Sequence, residues 1–373
     1  MPSYKVEEAS SGSRFEEFLR FPWSIYGNDP NWVPPLLTQV RECFDSDKHP
    51  FHKHGKVKPF VCRDSDTGKV MARACGIVNG THLKVHQDGY GFFGFFESFD
   101  NEQACQALMD SVLLWLSDQG CKGVYGPTSF TTNDECAVFI GGETGPPVFL
   151  MPYNPPYYDR LLQNCGMSKA KDLLAWMVDD SGGIPERLSV ARRLAQRREA
   201  ICRPISFKHI EREKELMFEI YNSAWEKNWG FVPMTREEFE YAGKHMKMIV
   251  DPDLVLILEV KGEPAGFSLT IPDLNIALKH LNGRLFPFGF IKLLWHRRKI
   301  HRIRVTAMGL LKEYRNLGLD ALLYLETFER GIRKGYTEAE LSWILEDNNE
   351  MNTALAKLGA RPYRRYRIYE RKL

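Results

Sequence analysis

The sequence predicts an α/β (α+β) fold in two similar halves, and three observations support this prediction. From residue 304 to residue 370, apolar runs with strand character alternate with segments of helical spacing. The first half repeats the same coarse order, and a polar, glycine-containing stretch at residues 179–183 separates the halves. The chain has 373 residues, which is enough for two domains with complete hydrophobic cores.

The second half has the clearer pattern. Residues 304–310 are apolar and β-branched enough for a buried strand, and the helical spacing that follows ends at Lys334 and Gly335, a cationic last turn and a glycine stop. An alternating strand and a helix led by Asn348 come next. The predicted order is strand, turn, helix, strand, helix and strand, over residues 304–310, 312–318, 319–335, 339–344, 348–358 and 363–369.

The turn at residues 312–318 has the features of an anion site. The first N–H groups of a helix have no partner within the helix, and the helix dipole adds a partial positive charge. Gly318 lets the backbone approach a ligand closely, and Arg315 adds a full positive charge. The sequence therefore predicts that this turn holds a phosphate or pyrophosphate group, with an ordinary helix start as the alternative.

This order of elements resembles the acyl-CoA-binding half of the GNAT superfamily of N-acyltransferases, in which an (Arg/Gln)-x-x-Gly-x-(Gly/Ala) loop holds the CoA pyrophosphate. Arg315 and Gly318 match that loop, whereas Asp320 stands at its last position. Leu355 stands where the family has the tyrosine that reprotonates the leaving thiolate. The resemblance implies acyl-CoA as co-substrate, bound by Met308, Leu310, Arg315, Asn316, Gly318, Leu319 and Asn348.

The first half repeats the plan without the phosphate loop. Strands are predicted at residues 69–78, 90–97 and 123–125, with a helix at residues 101–119. The turn before this helix, residues 98–100, is acidic and lacks glycine, so it favours a helix cap over a pyrophosphate. We therefore predict a degenerate GNAT-like domain on the substrate side at residues 1–182 and an acyl-CoA-binding catalytic domain at residues 183–373. The resemblance implies that each contains a mixed, mostly antiparallel sheet flanked by helices.

Three further segments, at residues 91–97, 151–158 and 228–233, resemble a long tandem GNAT family of bacteria. This resemblance extends over nearly the full length of the chain. For some apparent relatives it implies acyl-CoA-dependent acylation of long-chain amines, as in bacterial ceramide synthesis. Because a fold does not determine a substrate, this transfer of function rests on analogy.

Acyl transfer to an amine requires a neutral amine, a polarised thioester carbonyl and a proton for the departing thiolate. In GNAT proteins, backbone N–H groups of the strand before the phosphate loop meet the carbonyl. Glu346 is the first candidate for the general base, with Asp347, Asp273 and Asn275 as the alternatives. Tyr363 or Tyr366 is a candidate proton donor. For each, a role as a cap, turn or packing residue is the alternative; water could also supply the proton, and no metal is predicted.

Substrate contacts are predicted mainly in two loops of the first half, at residues 131–135 and 153–156. Rigid loops on a regular scaffold are typical of substrate clefts, and a structural crossover is the alternative. The predicted substrate residues are Asn133, Asp134, Tyr153, Asn154, Trp229 and Asn275.

Residues 285–300 combine large apolar side chains with the basic cluster Arg297, Arg298 and Lys299, and they contain no acid. This composition favours peripheral contact with an anionic membrane, where each basic residue contributes roughly 1 kcal/mol. A helical insertion packed on the body is the alternative. The net charge of +2 gives no nucleic-acid signal, and the lack of a long apolar stretch predicts a cytoplasmic protein that reaches at most the inner membrane face.

The leading functional prediction is an acyl-CoA-dependent N-acyltransferase for a long-chain, sphingoid-type amine at the membrane surface. The alternatives are an N-acetyltransferase for a small soluble amine or a protein, and a non-catalytic acyl-CoA-binding protein. A Fem-type aminoacyl transferase also has tandem GNAT-like units, but the recognisable CoA loop argues against it.

Overall fold

The computed structural model describes residues 3–183, 186–247 and 249–373. The chain divides into two compact units, and each is discontinuous in sequence. The first unit consists of the residues up to Leu173, Leu278–Phe290 and Arg364–Leu373, and the second consists of Leu174–Ala277 and Ile291–Tyr363. The C-terminal segment therefore belongs to the first unit.

Strands and helices are assigned throughout the described residues. The strands are β1 Tyr4–Glu8, β2 Gly55–Asp64, β3 Val70–Asn79, β4 Tyr90–Ser98, β5 Gly123–Gly126, β6 Val138–Gly142, β7 Ser168–Asp179, β8 Ala200–Pro204, β9 Val255–Val260, β10 Glu263–Pro272, β11 Arg302–Leu310, β12 Glu338–Leu345 and β13 Arg361–Lys372. The helices are α1 Gly12–Tyr26, α2 Leu37–Cys43, α3 Gly80–His86, α4 Glu102–Asp118, α5 Tyr158–Asn164, α6 Glu186–Arg197, α7 Ile210–Ala224, α8 Arg236–Met246, α9 Asn275–Leu278, α10 Gly289–Arg297, α11 Asp320–Arg333 and α12 Asn349–Lys357.

The first unit is built on a sheet with the strand order β1-β2-β3-β4-β5-β13, and β6 also pairs with β13. The β4–β5 pair is parallel and is joined through α4, while the other assigned pairs are antiparallel. Helix α4 buries Leu108, Val112 and Leu116 completely in the main core of this unit. Their spacing of about one helical turn gives α4 a single apolar face towards the sheet.

The second unit has the strand order β7-β12-β11-β10-β9-β8. Here β11 and β12 form the parallel pair, joined through α11, and β8 to β11 pair antiparallel in succession. Helix α11 buries Leu322, Leu323 and Leu325. Both units thus contain mostly antiparallel sheets with one parallel crossover and flanking helices, which confirms the predicted fold class.

Candidate active site

The loop at residues 315–319, named here the α11 loop, presents unpaired backbone N–H groups. It follows a short 3-10 turn at Lys312–Tyr314 and leads into α11 at Asp320. Asn316 and Gly318 adopt positive φ angles of 58° and 71°. Within the part of the chain that the structure describes, the N–H groups of residues 316–319 have no hydrogen-bond partner. Together with the dipole of α11, they form a surface suited to an anion.

The equivalent helix start in the first unit is closed by its own side chain. Asn101 Oδ1 accepts a hydrogen bond from Ala104 N at 2.9 Å, which satisfies a free donor at the start of α4. Leu319 at the N-cap of α11 makes no such bond, and Asp320 in the first turn complements the helix dipole. Of these two helix starts, the first is capped by a side chain and the second is not.

Arg315 anchors the α11 loop to the rest of the second unit. Its Nε donates to the carbonyl oxygen of Leu310 at 3.1 Å, and its Nη2 donates to that of Ala224 at 3.0 Å. Ala224 is the last residue of α7, so the guanidinium also neutralises the negative end of that helix dipole. Arg315 fixes the position of the loop while adding positive charge beside it.

Both the backbone conformation and the limited space at position 318 require a glycine. Its φ of 71° lies in the left-handed region that side chains disfavour. A Cβ atom at this position would lie 2.8 Å from Leu194 Cδ2. A larger residue would therefore strain the backbone and displace α6 or the loop.

β11 and β12 are paired at their amino-terminal ends and diverge beyond them. The parallel register runs from Arg302 opposite Glu338 to Val305 opposite Leu341, while both strands continue towards the α11 loop. On its other edge, β11 stays paired with β10 up to Leu310. Because alternate backbone groups of a strand face opposite neighbours, half of those in residues 306–310 border the gap beside β12. These groups can hydrogen-bond a ligand inserted between the strands.

A buried ion pair crosses from β11 to β12 just before they diverge. Arg304 Nε lies 3.3 Å from Glu340 Oε2, and the two residues are 4% and 0% exposed. Burial raises the pKa of the Glu340 carboxyl, and the charge of Arg304 and the hydroxyl of Ser342 partly oppose that rise. A carboxyl group with a raised pKa beside an opening in the sheet is a candidate acid–base group.

Solved structures similar to this chain share its fold. A tandem GNAT protein from the clavulanic acid biosynthesis pathway matches with a TM-score of 0.57 and 12% identity, covering 99% of this chain and 98% of its own. A GCN5-related N-acetyltransferase from Sphaerobacter thermophilus matches with a TM-score of 0.53 and 12% identity, covering 99% and 95%. At these identities the likeness shows the fold alone.

Two curated relatives match at higher identity. Protein YghO of Escherichia coli (strain K12) is 34% identical over 363 residues, 95% of this chain and 92% of the relative. The bacterial ceramide synthase of Caulobacter vibrioides (strain NA1000 / CB15N) is 30% identical over 373 aligned residues, 97% of this chain and 95% of the relative. The chain belongs to the family of these two proteins and has the fold of tandem GNAT proteins. A search against protein-family models found no match.

The predicted general-base residues of this tandem GNAT protein lie at different ends of its second sheet. Glu346 is half-buried in the turn after β12, at the same edge of the sheet as the α11 loop. Asp273 is buried 3.6 Å from Arg302, at the start of β11, and its Oδ1 accepts a hydrogen bond from Asn275 N at 3.2 Å. β11 extends about 25 Å from there to the loop. Glu346 therefore lies at the edge of the sheet next to the α11 loop. Asp273 lies far from that loop, but it is close enough to Glu340 for its charge to raise the pKa of that carboxyl.

The other predicted residues of the GNAT site occupy structural positions of different kinds. Met308 and Leu310 are half-buried in β11, and Leu319 is buried at the start of α11. Asn348 Oδ1 accepts from Met351 N at 3.1 Å and so caps α12. The remaining two are Tyr363, buried in β13, and Trp229, half-buried in the loop before α8.

The predicted substrate residues of the first unit have hydrogen bonds within that unit. Asn154 bonds through its side-chain amide to Phe139 N at 2.7 Å and Phe139 O at 3.1 Å, which fixes the loop against β6. Tyr153 donates to Asp29 Oδ2 at 2.6 Å. In the other loop, Asp134 accepts from the hydroxyl of Thr131, and that hydroxyl also accepts from Asn133 N. These bonds hold both loops to their own unit.

Glu340 is the candidate that the sequence analysis missed. A signal for it exists, because Arg302 and Arg304 have the same two-residue spacing as Glu338 and Glu340 on the neighbouring parallel strand. Complementary charges at matched spacing in two strands joined by a helix can indicate directly opposed pairs.

Proposed function

We propose that this protein transfers an acyl group from acyl-CoA to a long-chain, sphingoid-type amine at a membrane surface, with the second unit as the catalytic unit and the first on the substrate side. The observation that carries the proposal is the α11 loop, whose N–H groups at residues 316–319 lack partners in the described chain beside two diverging strands. A pyrophosphate fits the loop, and a thioester arm fits between the strands. The residues assigned to acyl-CoA are Met308, Leu310, Arg315, Asn316, Gly318, Leu319 and Asn348.

The reaction needs no covalent enzyme intermediate. The amine nitrogen attacks the thioester carbon, a C–N bond forms, and the C–S bond breaks. Backbone N–H groups around residues 308–310 stabilise the oxyanion that develops on the carbonyl oxygen. A carboxylate accepts the proton that the nitrogen loses, and the CoA thiolate takes a proton from Tyr363 or from water.

We assign the general-base role to Glu340 and keep Glu346 as the alternative. Glu340 lies one residue before the last paired position of β12, and Glu346 lies in the turn beyond the end of the strand. The raised pKa of Glu340 makes its carboxylate a stronger base than an exposed glutamate. The charge of Arg304 beside it lowers that pKa in part and so favours the ionised form of the carboxyl.

Two further observations support a lipid substrate and action at a membrane surface. A relative that is 30% identical over nearly the whole chain is named bacterial ceramide synthase. Around α10, a run of apolar side chains is exposed next to the basic residues 297–299. The exposed apolar residues are Phe286, Phe288, Phe290, Ile291, Leu294 and Trp295. No helix in the described residues is both long and apolar enough to cross a bilayer.

The test is acyl transfer by the purified protein. Acyl-CoAs from acetyl to palmitoyl are supplied with and without sphinganine in mixed micelles, and free thiol and N-acyl product are measured. We expect thiol release that depends on the amine and is fastest with long acyl chains. Thiol release that occurs only with soluble amines would show that the substrate is not a lipid. CoA binding without thiol release in the presence of any amine would indicate a non-catalytic acyl-CoA-binding protein.

A further inference from the structure

The second unit contains an apolar cavity between its sheet and the helices α11 and α12. Val305 and Leu341 contribute to the sheet wall, and Phe328 and Leu355 contribute to the helix walls. Because side chains alternate along a strand, this wall is the face opposite Arg304 and Glu340. The empty space here is about 650 Å³, a figure that includes the part open to solvent.

The charged residues of the cavity wall lie together at one end. They are Asp179 and Asp180, at the end of β7, and Glu338, at the start of β12, whose carboxylate accepts a hydrogen bond from Arg302 Nε at 2.6 Å. Asp180 N donates to Thr337 O at 3.0 Å, so these two chain segments are adjacent. Between this end and the α11 loop, the wall is mostly aliphatic and aromatic. A ligand that fills the cavity must therefore be apolar over most of its length.

Met308 links the cavity to the candidate active site. It lines the cavity, and it also lies in the part of β11 beyond the last pair with β12. Ile303 lines the cavity closer to the charged end, and the strand extends about 16 Å between these two residues. A thioester held beside Met308 thus has an apolar space leading away from it along the sheet.

We propose that this cavity binds the hydrocarbon chain of the acyl donor and determines which chain lengths are accepted. The inference rests on the proposed function, because it requires a thioester beside Met308. An alkyl chain fits these walls because each methylene gains by leaving water, whereas the amide groups of pantetheine would lose their hydrogen bonds there. The amine then approaches from the opposite face of the sheet, where Glu340 accepts its proton.

Gly331 on α11 is a position at which an added side chain would shorten the cavity. It lines the cavity, and a Cβ atom added there would lie 3.2 Å from Ile303 Cδ1. We expect Gly331→Val to reduce kcat/KM for palmitoyl-CoA about tenfold. The value for hexanoyl-CoA should change by less than about twofold, because a short chain does not reach this position.

Gly243→Val is the matched control. Gly243 also lies within a helix, α8, and a Cβ atom there meets nothing within 4 Å. This variant should keep the chain-length profile of the unmodified protein. Phe328→Ala is the complementary variant, because it enlarges the cavity, and it should move the preference towards longer chains. If neither cavity variant changes the profile of a protein that transfers long chains, the cavity does not hold the chain.

A binding measurement tests this inference separately from the proposed function. Calorimetric titration with CoA and with palmitoyl-CoA, below the concentration at which the latter forms micelles, requires no amine. We expect tighter binding of palmitoyl-CoA and loss of that gain in Gly331→Val. Equal affinity for both ligands would overturn the acyl cavity. If palmitoyl-CoA binds more tightly than CoA but its acyl group is transferred to no amine, the acyl cavity is supported and the enzymatic function is rejected.

Discussion

Glu340 and Arg304 form a buried pair whose two members depend on each other. Removing one charge of such a pair leaves the other buried without a partner, which costs about 3–5 kcal/mol of unfolding free energy. A single substitution at Glu340 therefore changes stability and any acid–base role together. A second substitution that removes the charge of Arg304 separates the two effects, because no charge is then left buried without a counter-charge.

We expect Glu340→Gln to lower kcat by about 10² or more, which is the usual contribution of a general base. The double variant Arg304→Met/Glu340→Gln should regain most of the lost thermal stability and remain inactive. Thermal unfolding and steady-state thiol release measure the two quantities. Glu346→Gln is the matched control and should keep most of the activity. Recovery of activity in the double variant would show that Glu340 acts only through the ion pair.

The pH dependence of the reaction provides an independent readout of the same carboxyl. Glu340 accepts a proton only when it is ionised, and burial raises its pKa above the usual 4.5. The rate should therefore fall as the pH is lowered through this raised pKa, at a higher pH than for an ordinary glutamate. Glu340→Gln should remove that limb from the profile of its residual activity. If the fall in rate at low pH is unchanged in the variant, another group is responsible for it.

Gly318 has a matched counterpart in Gly335, which makes its role testable. Both have positive φ angles, 71° and 85°, but only at Gly318 would a Cβ atom meet a neighbour, Leu194. We expect Gly318→Ala to weaken CoA binding about tenfold, because the loop must shift. Gly335→Ala carries similar backbone strain without the contact and should keep CoA affinity. Calorimetric titration with CoA compares the two, and equal affinities would remove the α11 loop as the pyrophosphate site.

At the scale of single elements, the sequence predicted the crossover of the second unit well. The predicted strand at residues 304–310 is β11, Arg302–Leu310, and the predicted helix from residue 319 is α11, Asp320–Arg333. These elements follow from local periodicity, which depends only on neighbouring residues. The positive φ of Gly318 is likewise local, since the turn before α11 requires it.

The features that the sequence did not predict depend on contacts between segments that are far apart in the sequence. The matched charge spacing in the sequence indicates a pair, but placing Glu340 opposite Arg304 requires the register of two strands separated by a whole helix. The guanidinium of Arg315 contacts the end of α7, far away in sequence. Hydrophobic patterns set which face of a strand is buried but not which distant residue lies beside it.

The exposed face of α10 leads to a prediction about membrane binding. Ile291 and Trp295 are one helical turn apart and are 65% and 60% exposed. We expect Ile291→Ser/Trp295→Ser to reduce binding to vesicles containing anionic lipid about tenfold or more, because two large apolar side chains no longer enter the headgroup boundary. Cosedimentation measures this. The control is Ile201→Ser/Phe207→Ser, which also removes exposed apolar residues and should bind vesicles normally. Equal loss of vesicle binding in both variants would reject a role for α10.

At the scale of the whole molecule, the first unit depends on the end of the chain. β13 pairs antiparallel with β5 and with β6. Its Arg367 Nε lies 2.7 Å from Oδ1 of Asp172, which is completely buried, and its Tyr369 is completely buried in the main core. Without β13, two strands would lose a partner, and the Asp172 carboxylate would lose its principal counter-charge.

We therefore expect a fragment of residues 1–182 to lack a cooperative thermal unfolding transition, although the sequence places a domain boundary there. Fusing residues 361–373 to this fragment through a flexible linker should restore a transition, because β13 again pairs with β5 and β6. The control is the same fusion carrying Arg367→Ala and Tyr369→Ser, which keeps the length but loses the ion pair and the core contact. Circular dichroism during heating measures all three proteins. A cooperative transition of the bare fragment at the same temperature as the fusion would show that the first unit folds without the C-terminal strand.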